Sequence, residues 1–155
     1  MAREGYGLEH FEASKELWAA AQSHSKNMKR FDFFSHTSKR RSALKTPALR
    51  VKRHGGNFRA IAENIAETGV YHLFGDGEAY INESGKLVDA NGEPLPVKTY
   101  GELAQIVVGK WMDSKGHRKN ILGNYSHLGC GVSVIFNAEK GEIPNLLVTQ
   151  NFGAR

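Results

Sequence analysis

The stretch from Thr99 to Asp113 admits few readings. Thr99 and Glu102 stand three residues apart, the spacing at which hydroxyl and carboxylate cap each other's backbone N–H groups. Behind them Tyr100, Leu103, Ala104, Val107, Val108 and Trp111 recur at helical period and form one apolar stripe. This predicts a helix that has to bury its stripe against another layer, with Gly116 placed to end it. An earlier stripe, Leu17, Ala21, His24, Met28 and Phe31, predicts a second helix over 14–30 with Ser14 as N-cap.

The partners for these stripes are strands. "GCGVSVIF" and "NLLVTQNF" read as two strands joined by the hairpin loop "NAEKGEIPN", with Val132, Val134 and Phe136 facing inward. "FRAIAENIAETGVY" reads as helix running into strand, on Ile61, Ile65 and Val70. Between Leu73 and Lys98 the turn signals "ESGK" and "ANGEP" bracket a hairpin-like insertion. The spacing Asp89, Asn91, Glu93 there lacks the glycine and closing glutamate of a calcium loop. At 155 residues the chain makes one domain over 1–155, and its element order predicts an α+β fold with helices packed on an antiparallel sheet. No apolar run approaches 18 residues, so no transmembrane segment is expected. The charged opening "MAREGYGLEH" is not a signal core.

The net charge of +5 is a local excess. From Phe33 to Ala62 no acidic residue occurs, while Lys39, Arg40, Arg41, Lys45, Arg50, Lys52, Arg53 and Arg59 all do. With Pro47 and "HGGN" this stretch reads as a solvated basic loop over about 37–57. Such a patch attracts anionic glycans or a cell-surface polymer. Nucleic acid is not the expected partner, because no reading module accompanies the charge. The lone Cys130 excludes an internal disulfide, and its apolar strand makes it a small buried hydrophobe.

No nucleophile elbow, zinc-protease helix motif, phosphate loop or dinucleotide fingerprint occurs. Polar residues at element boundaries remain. His36 in "FFSHTS" reads locally as a turn histidine, Glu63 in "IAENIAE" as a surface or capping carboxylate, and His117 as a charge at a helix C-terminus. Together they make the ligand set of an open zinc-type site, or an acid/base group with a partner. Their separations in sequence leave open whether they meet.

"FFSHTS", "AENIAE", "WMDSKGHRKNIL", "HLGCGVSV" and "LLVTQNFG", in that order, resemble the bacterial branch of the CAP superfamily of SCP-like domains, relatives of cysteine-rich secretory proteins, antigen 5 and pathogenesis-related proteins of type 1. The resemblance runs from about Leu17 to Gly153. It implies a three-layer α-β-α sandwich with a central, mainly antiparallel sheet and a shallow cleft in which His36, Glu63 and His117 match three positions. The eukaryotic members' second glutamate is replaced here by Asp113 or Ser114, and a leading helix usual in the family is short or missing. By resemblance the protein is expected outside the cell or on its surface, after removal of a signal segment. Its cleft is expected to bind a divalent metal, zinc first, through His36, His117 and Glu63, or else a small ligand or lipid. The alternatives are a metal-assisted peptidase with Glu63 as base, and an anionic-surface binder acting through the basic loop.

Overall fold

The computed structural model describes residues 2–38, 44–73, 78–136 and 143–155. After a 3-10 turn at Glu4–Tyr6 come β1 (Glu12–Ala13), α1 (Lys15–Arg30), α2 (Pro47–Arg53), β2 (Ala60–Gly69), β3 (Tyr80–Ile81), β4 (Leu87–Val88), α3 (Tyr100–Asp113), α4 (Lys115–Ile121), β5 (His127–Ile135) and β6 (Asn145–Ala154). Four strands form one sheet in the order β1-β5-β6-β2, antiparallel except for the β1–β5 pair, and β3 with β4 makes the separate hairpin expected of the insertion. Helices α1 and α2 cover one face and α3 and α4 the other, which makes the α-β-α sandwich.

The two sequence-predicted helices form as their residues dictate. The Ser14 hydroxyl accepts the Leu17 N–H at the start of α1, and Leu17, Ala20, Ala21, His24 and Met28 are buried on its sheet side. At α3 the full capping box is present between Thr99 and Glu102. Its stripe delivers Val107 and Trp111 to a core shared with Ala66, Ile121, Val148 and Phe152. The opposite face carries two smaller clusters, Leu17–Ala20–Val51 and Met28–Ile65–Leu147.

Four local expectations are corrected. The basic loop contains helix α2, with Thr46 capping and Pro47 at the first turn, where a missing N–H costs nothing. "AIAENIAETG" is strand throughout, paired to β6 over ten residues, because burial on both faces replaces the one-sided pattern of a surface strand. Gly116 does not end α3. Ser114 does, in extended backbone, and Gly116 lies inside α4, so His117 sits near the start of a helix rather than at a C-terminus.

The facing of β5 is also inverted. Val132, Val134 and Phe136 are 46%, 47% and 52% exposed, and Cys130 on the same side is exposed rather than a buried hydrophobe. Gly129 and Gly131 face the helix instead. A Cβ on Gly129 would lie 2.0 Å from the Trp18 nitrogen, and one on Gly131 would lie 2.1 Å from the Gln22 nitrogen. Helix backbone rests directly on strand backbone, and only glycine permits that approach.

Replacing Gly131 by alanine should therefore lift α1 from the sheet and cost about 3 kcal/mol or more in urea unfolding. Val134→Thr should change stability by no more than about 0.5 kcal/mol. The reverse ranking would restore the valine-inward facing.

Candidate functional site

The sheet ends at β2, whose outward carbonyls need partners that a neighbouring strand would otherwise supply. Side chains from the helices provide them. The Glu63, Ile65 and Glu67 carbonyls accept from Asn120 Nδ2 at 3.3 Å, Trp111 Nε1 at 3.0 Å and Lys110 Nζ at 3.0 Å. This edge is the floor of the candidate cleft, and successive β2 side chains reach opposite faces of the sheet from it.

Glu63 points to the α1–α2 face and is 1% exposed in its side chain. Arg50 Nη2 donates to both carboxylate oxygens, at 2.8 and 2.7 Å, and the same nitrogen holds the His36 carbonyl at 3.0 Å. Arg50 Nη1 donates to the Leu44 carbonyl at 3.0 Å. His36 Nδ1 lies 3.0 Å from Glu63 Oε1 while its ring is 47% exposed, so the carboxylate holds one nitrogen and leaves Nε2 toward solvent. In the amide orientation its neighbours satisfy, Asn151 adds a third donor to Glu63, at 3.0 Å from Oε2.

Behind the carboxylate lies His24, fully buried on α1. Its Nε2 donates to the Ser35 carbonyl at 3.0 Å and stands 3.7 Å from Glu63 Oε1. Burial is the main reason its pKa falls to about 4; the Glu63 charge opposes that and Arg50 adds to it. The ring is neutral at pH 7, a polar spacer that steadies the Ser35–His36 turn.

On the other face Asn64 does the corresponding work. Its Nδ2 donates to the His117 carbonyl at 3.2 Å, and its Oδ1 accepts from Asn120 Nδ2 at 2.8 Å. His117 is partly buried at the start of α4. Burial first, and the neighbouring His36 charge second, lower its pKa below the ordinary imidazole value. The two histidines thus approach from opposite layers across one edge strand.

The sequence-predicted residues fare unequally. His36 and Glu63 are in direct contact, and His117 lies within electrostatic reach of His36. Asp113 is exposed at the end of α3, and Ser114 makes the α3–α4 junction without a side-chain cap bond. Arg50 is not part of a surface patch at all, because it is fully buried and spent on Glu63. Lys45, Lys52 and Arg53 are exposed, whereas Lys39, Arg40 and Arg41 lie outside the described residues. Sequence reasoning missed Arg50, His24, Asn64 and Asn120 as members of the site. The acid-free run around Arg50, broken first by Glu63, is the one signal that pointed there.

A metal site needs open donors. Both oxygens of Glu63 are engaged, and among the described residues no three His, Cys, Asp or Glu side chains are grouped so as to hold a metal ion. The residues do not fit a closed zinc centre; two imidazoles are what the cleft offers.

The comparisons agree with the architecture. The profile of the CAP domain, the cysteine-rich secretory protein family, matches residues 1–152, and the chain belongs to that family. It is 28% identical over 130 residues to the uncharacterized protein YkwD of Bacillus subtilis (strain 168), covering 83% of this chain and 37% of the relative. It is 30% identical over 128 residues to the uncharacterized membrane protein YlbC of the same organism, covering 82% of this chain and 27% of the relative. The chain thus spans about a third of the length of these relatives. Among solved structures, an extracellular SCP-domain protein from Bacillus anthracis superposes with a TM-score of 0.62 at 24% identity, covering 99% of this chain and 36% of that one. An outer surface protein of Borrelia burgdorferi gives 0.59 at 16% identity, covering 99% and 84%. Among the described residues no helix is long and apolar enough to cross a membrane.

The buried pair makes two predictions. Arg50→Met leaves Glu63 charged and without its counter-ion, and should cost about 3–5 kcal/mol in chemical denaturation. For His24 the folded pKa, about 4, lies below the unfolded 6.5, so the unfolded chain takes up the proton first as pH falls. Stability is full above about pH 6.5 and drops by on the order of 3 kcal/mol on the way to about pH 4. A His24→Gln variant should flatten that part of the profile; an unchanged slope would assign it to another group.

Proposed function

We propose that this domain works by binding rather than turnover, and that its cleft captures a small ligand between His36 and His117. The observation that supports this is the state of Glu63. Saturated by Arg50, the carboxylate serves to orient His36, with the open nitrogen of the ring presented to the cleft. That state weighs against the metal-assisted peptidase, which needs Glu63 free to accept a proton from water. By analogy with its extracellular and outer-surface structural neighbours, we place the domain outside the cell or on its surface, following a signal segment.

A divalent metal is the second reading. A histidine whose far nitrogen pairs with a carboxylate is the arrangement ligating imidazoles use, and His117, whose pKa burial lowers, adds a second donor. His36 and His117 would hold such an ion, which would supply Lewis-acid character to a bound molecule, with Glu63 orienting the His36 ring.

Titrating zinc chloride into wild type should shift the ring resonances of His36 and His117 together. Calorimetry should show affinity lost by at least about tenfold in the His36→Ala, His117→Ala double variant. Equal binding by both proteins would remove the metal from the cleft.

A further inference from the structure

The sheet has a second free edge, on the side away from β2. Strand β1 covers β5 only at His127 and Leu128, because the chain turns into α1 at Ser14. The Ser14 N–H donates to the Leu128 carbonyl at 2.9 Å, so Leu128 and, by alternation, Cys130, Val132 and Val134 turn their backbone groups to this flank. One of the last three is plugged. Gln22 of α1 donates from Nε2 to the Val132 carbonyl at 2.7 Å and accepts the Val132 N–H at 3.1 Å, the two bonds an added strand would make. Among the described residues no group bonds the backbone of Cys130 or Val134 on this flank. Such an edge, with Val132, Val134 and Phe136 exposed beside it, is a template for pairing.

Helix α1 runs along the same flank, and its phase fixes what faces the edge. Lys26 and Lys29 follow Gln22 by one and two turns, and Trp18 and Lys15 precede it by one and two. All four are exposed, and among the described residues neither Lys26 nor Lys29 has a carboxylate within 4.0 Å. Glu16 offsets part of the Lys15 charge, and Glu12, 3.3 Å from His127 Nε2, lies at the end that β1 closes. Where β1 stops, a cavity of about 660 Å³ opens between Phe11, Trp18, Leu128 and Cys130.

We infer that this edge is a docking site for an extended segment of another protein in which apolar and acidic residues alternate. Side chains of an added strand point in turn to the two faces of the sheet. On one face they meet Val132, Val134 and Phe136, and on the other the ammonium groups of α1. An apolar residue therefore suits every second position and a carboxylate the positions between. Backbone bonds supply affinity, and the alternation sets the register. Gln22 is the plug that such a strand displaces, and the cavity beside Trp18 seats one apolar side chain at the β1 end. The inference is independent of the cleft, which lies at the opposite edge.

The probe is a synthetic peptide of about seven residues alternating valine and glutamate, followed by calorimetry and by the emission of the exposed Trp18. Wild type should bind it, about threefold or more weaker in about 500 than in about 50 mM salt. Of two peptides methylated on the valine or on the glutamate nitrogens, one should lose about tenfold or more while the other keeps binding, because one set alone faces β5. Val134→Pro, whose lost N–H lies on the open flank, should weaken binding about tenfold or more. Lys26→Glu with Lys29→Glu should do the same, and should bind a valine–lysine peptide instead. Gln22→Ala should tighten binding about threefold or more, since the competing amide is gone. Melting curves check that each variant folds.

No binding at about 1 mM peptide overturns the inference. So does equal affinity of wild type for the valine–lysine peptide, equal behaviour of the two methylated peptides, or weaker binding by Gln22→Ala. A dimer of the free protein that Val134→Pro dissolves would give the edge to a second copy and overturn it as well.

Discussion

The buried ion pair of Arg50 with Glu63 is the interaction on which the rest of the site depends. Two charges leave water on one side of a sheet, a costly transfer unless every lone pair and proton finds a partner. Glu63 finds Arg50, His36 and Asn151; Arg50 finds, besides Glu63, the carbonyls of His36 and Leu44. The guanidinium is thus a knot through which α2, the turn carrying His36 and the edge strand are tied together. Its Nε and the Nδ1 of His24 are buried without hydrogen-bond partners, a desolvation cost the network carries.

That arrangement changes what a carboxylate in this position can do. A free glutamate beside two histidines reads as ligand or base. A glutamate bonded through both oxygens is a fixed acceptor whose effect is exerted through the ring it orients. The chemistry of the site therefore passes to the imidazoles.

Much of the fold was legible in the sequence wherever one face alone is buried. Helix α3 carries its cap and stripe in consecutive residues, and α1 its cap at Ser14, so both are found from local pattern. Strand β2 was not, because Glu63 and Asn64 are both buried and its Ile61–Ile65 spacing mimics a helical turn. In β5 the misleading cue was size. Hydrophobicity points the valines inward, whereas the backbone contact with α1 demands the glycines there and leaves Val132 and Val134 outside. For the site, "FFSHTS", "ENIA" and "GHRKNIL" drew attention to His36, Glu63 and His117 through family resemblance, but no local signal distinguishes Arg50 from the seven cations around it. Burial does that, and burial is a tertiary property.

The adjacent pair Glu63–Asn64 explains why both histidines are anchored at this edge. Side chains alternate along a strand, so two consecutive polar residues reach both layers of the sandwich from one point. Glu63 fixes the His36 ring in the first layer, and Asn64 fixes the His117 backbone and Asn120 in the second. Asn120 closes the circuit by donating to the Glu63 carbonyl as well. A central strand cannot serve this way, since both its flanks are filled by neighbours. An edge strand leaves one flank to which the helices bring side chains. Positions of the two histidines are then set by one dipeptide rather than by two independent loops. A change of register in β2 by a single residue would exchange the carboxylate and the amide between layers, and would lose both walls at once.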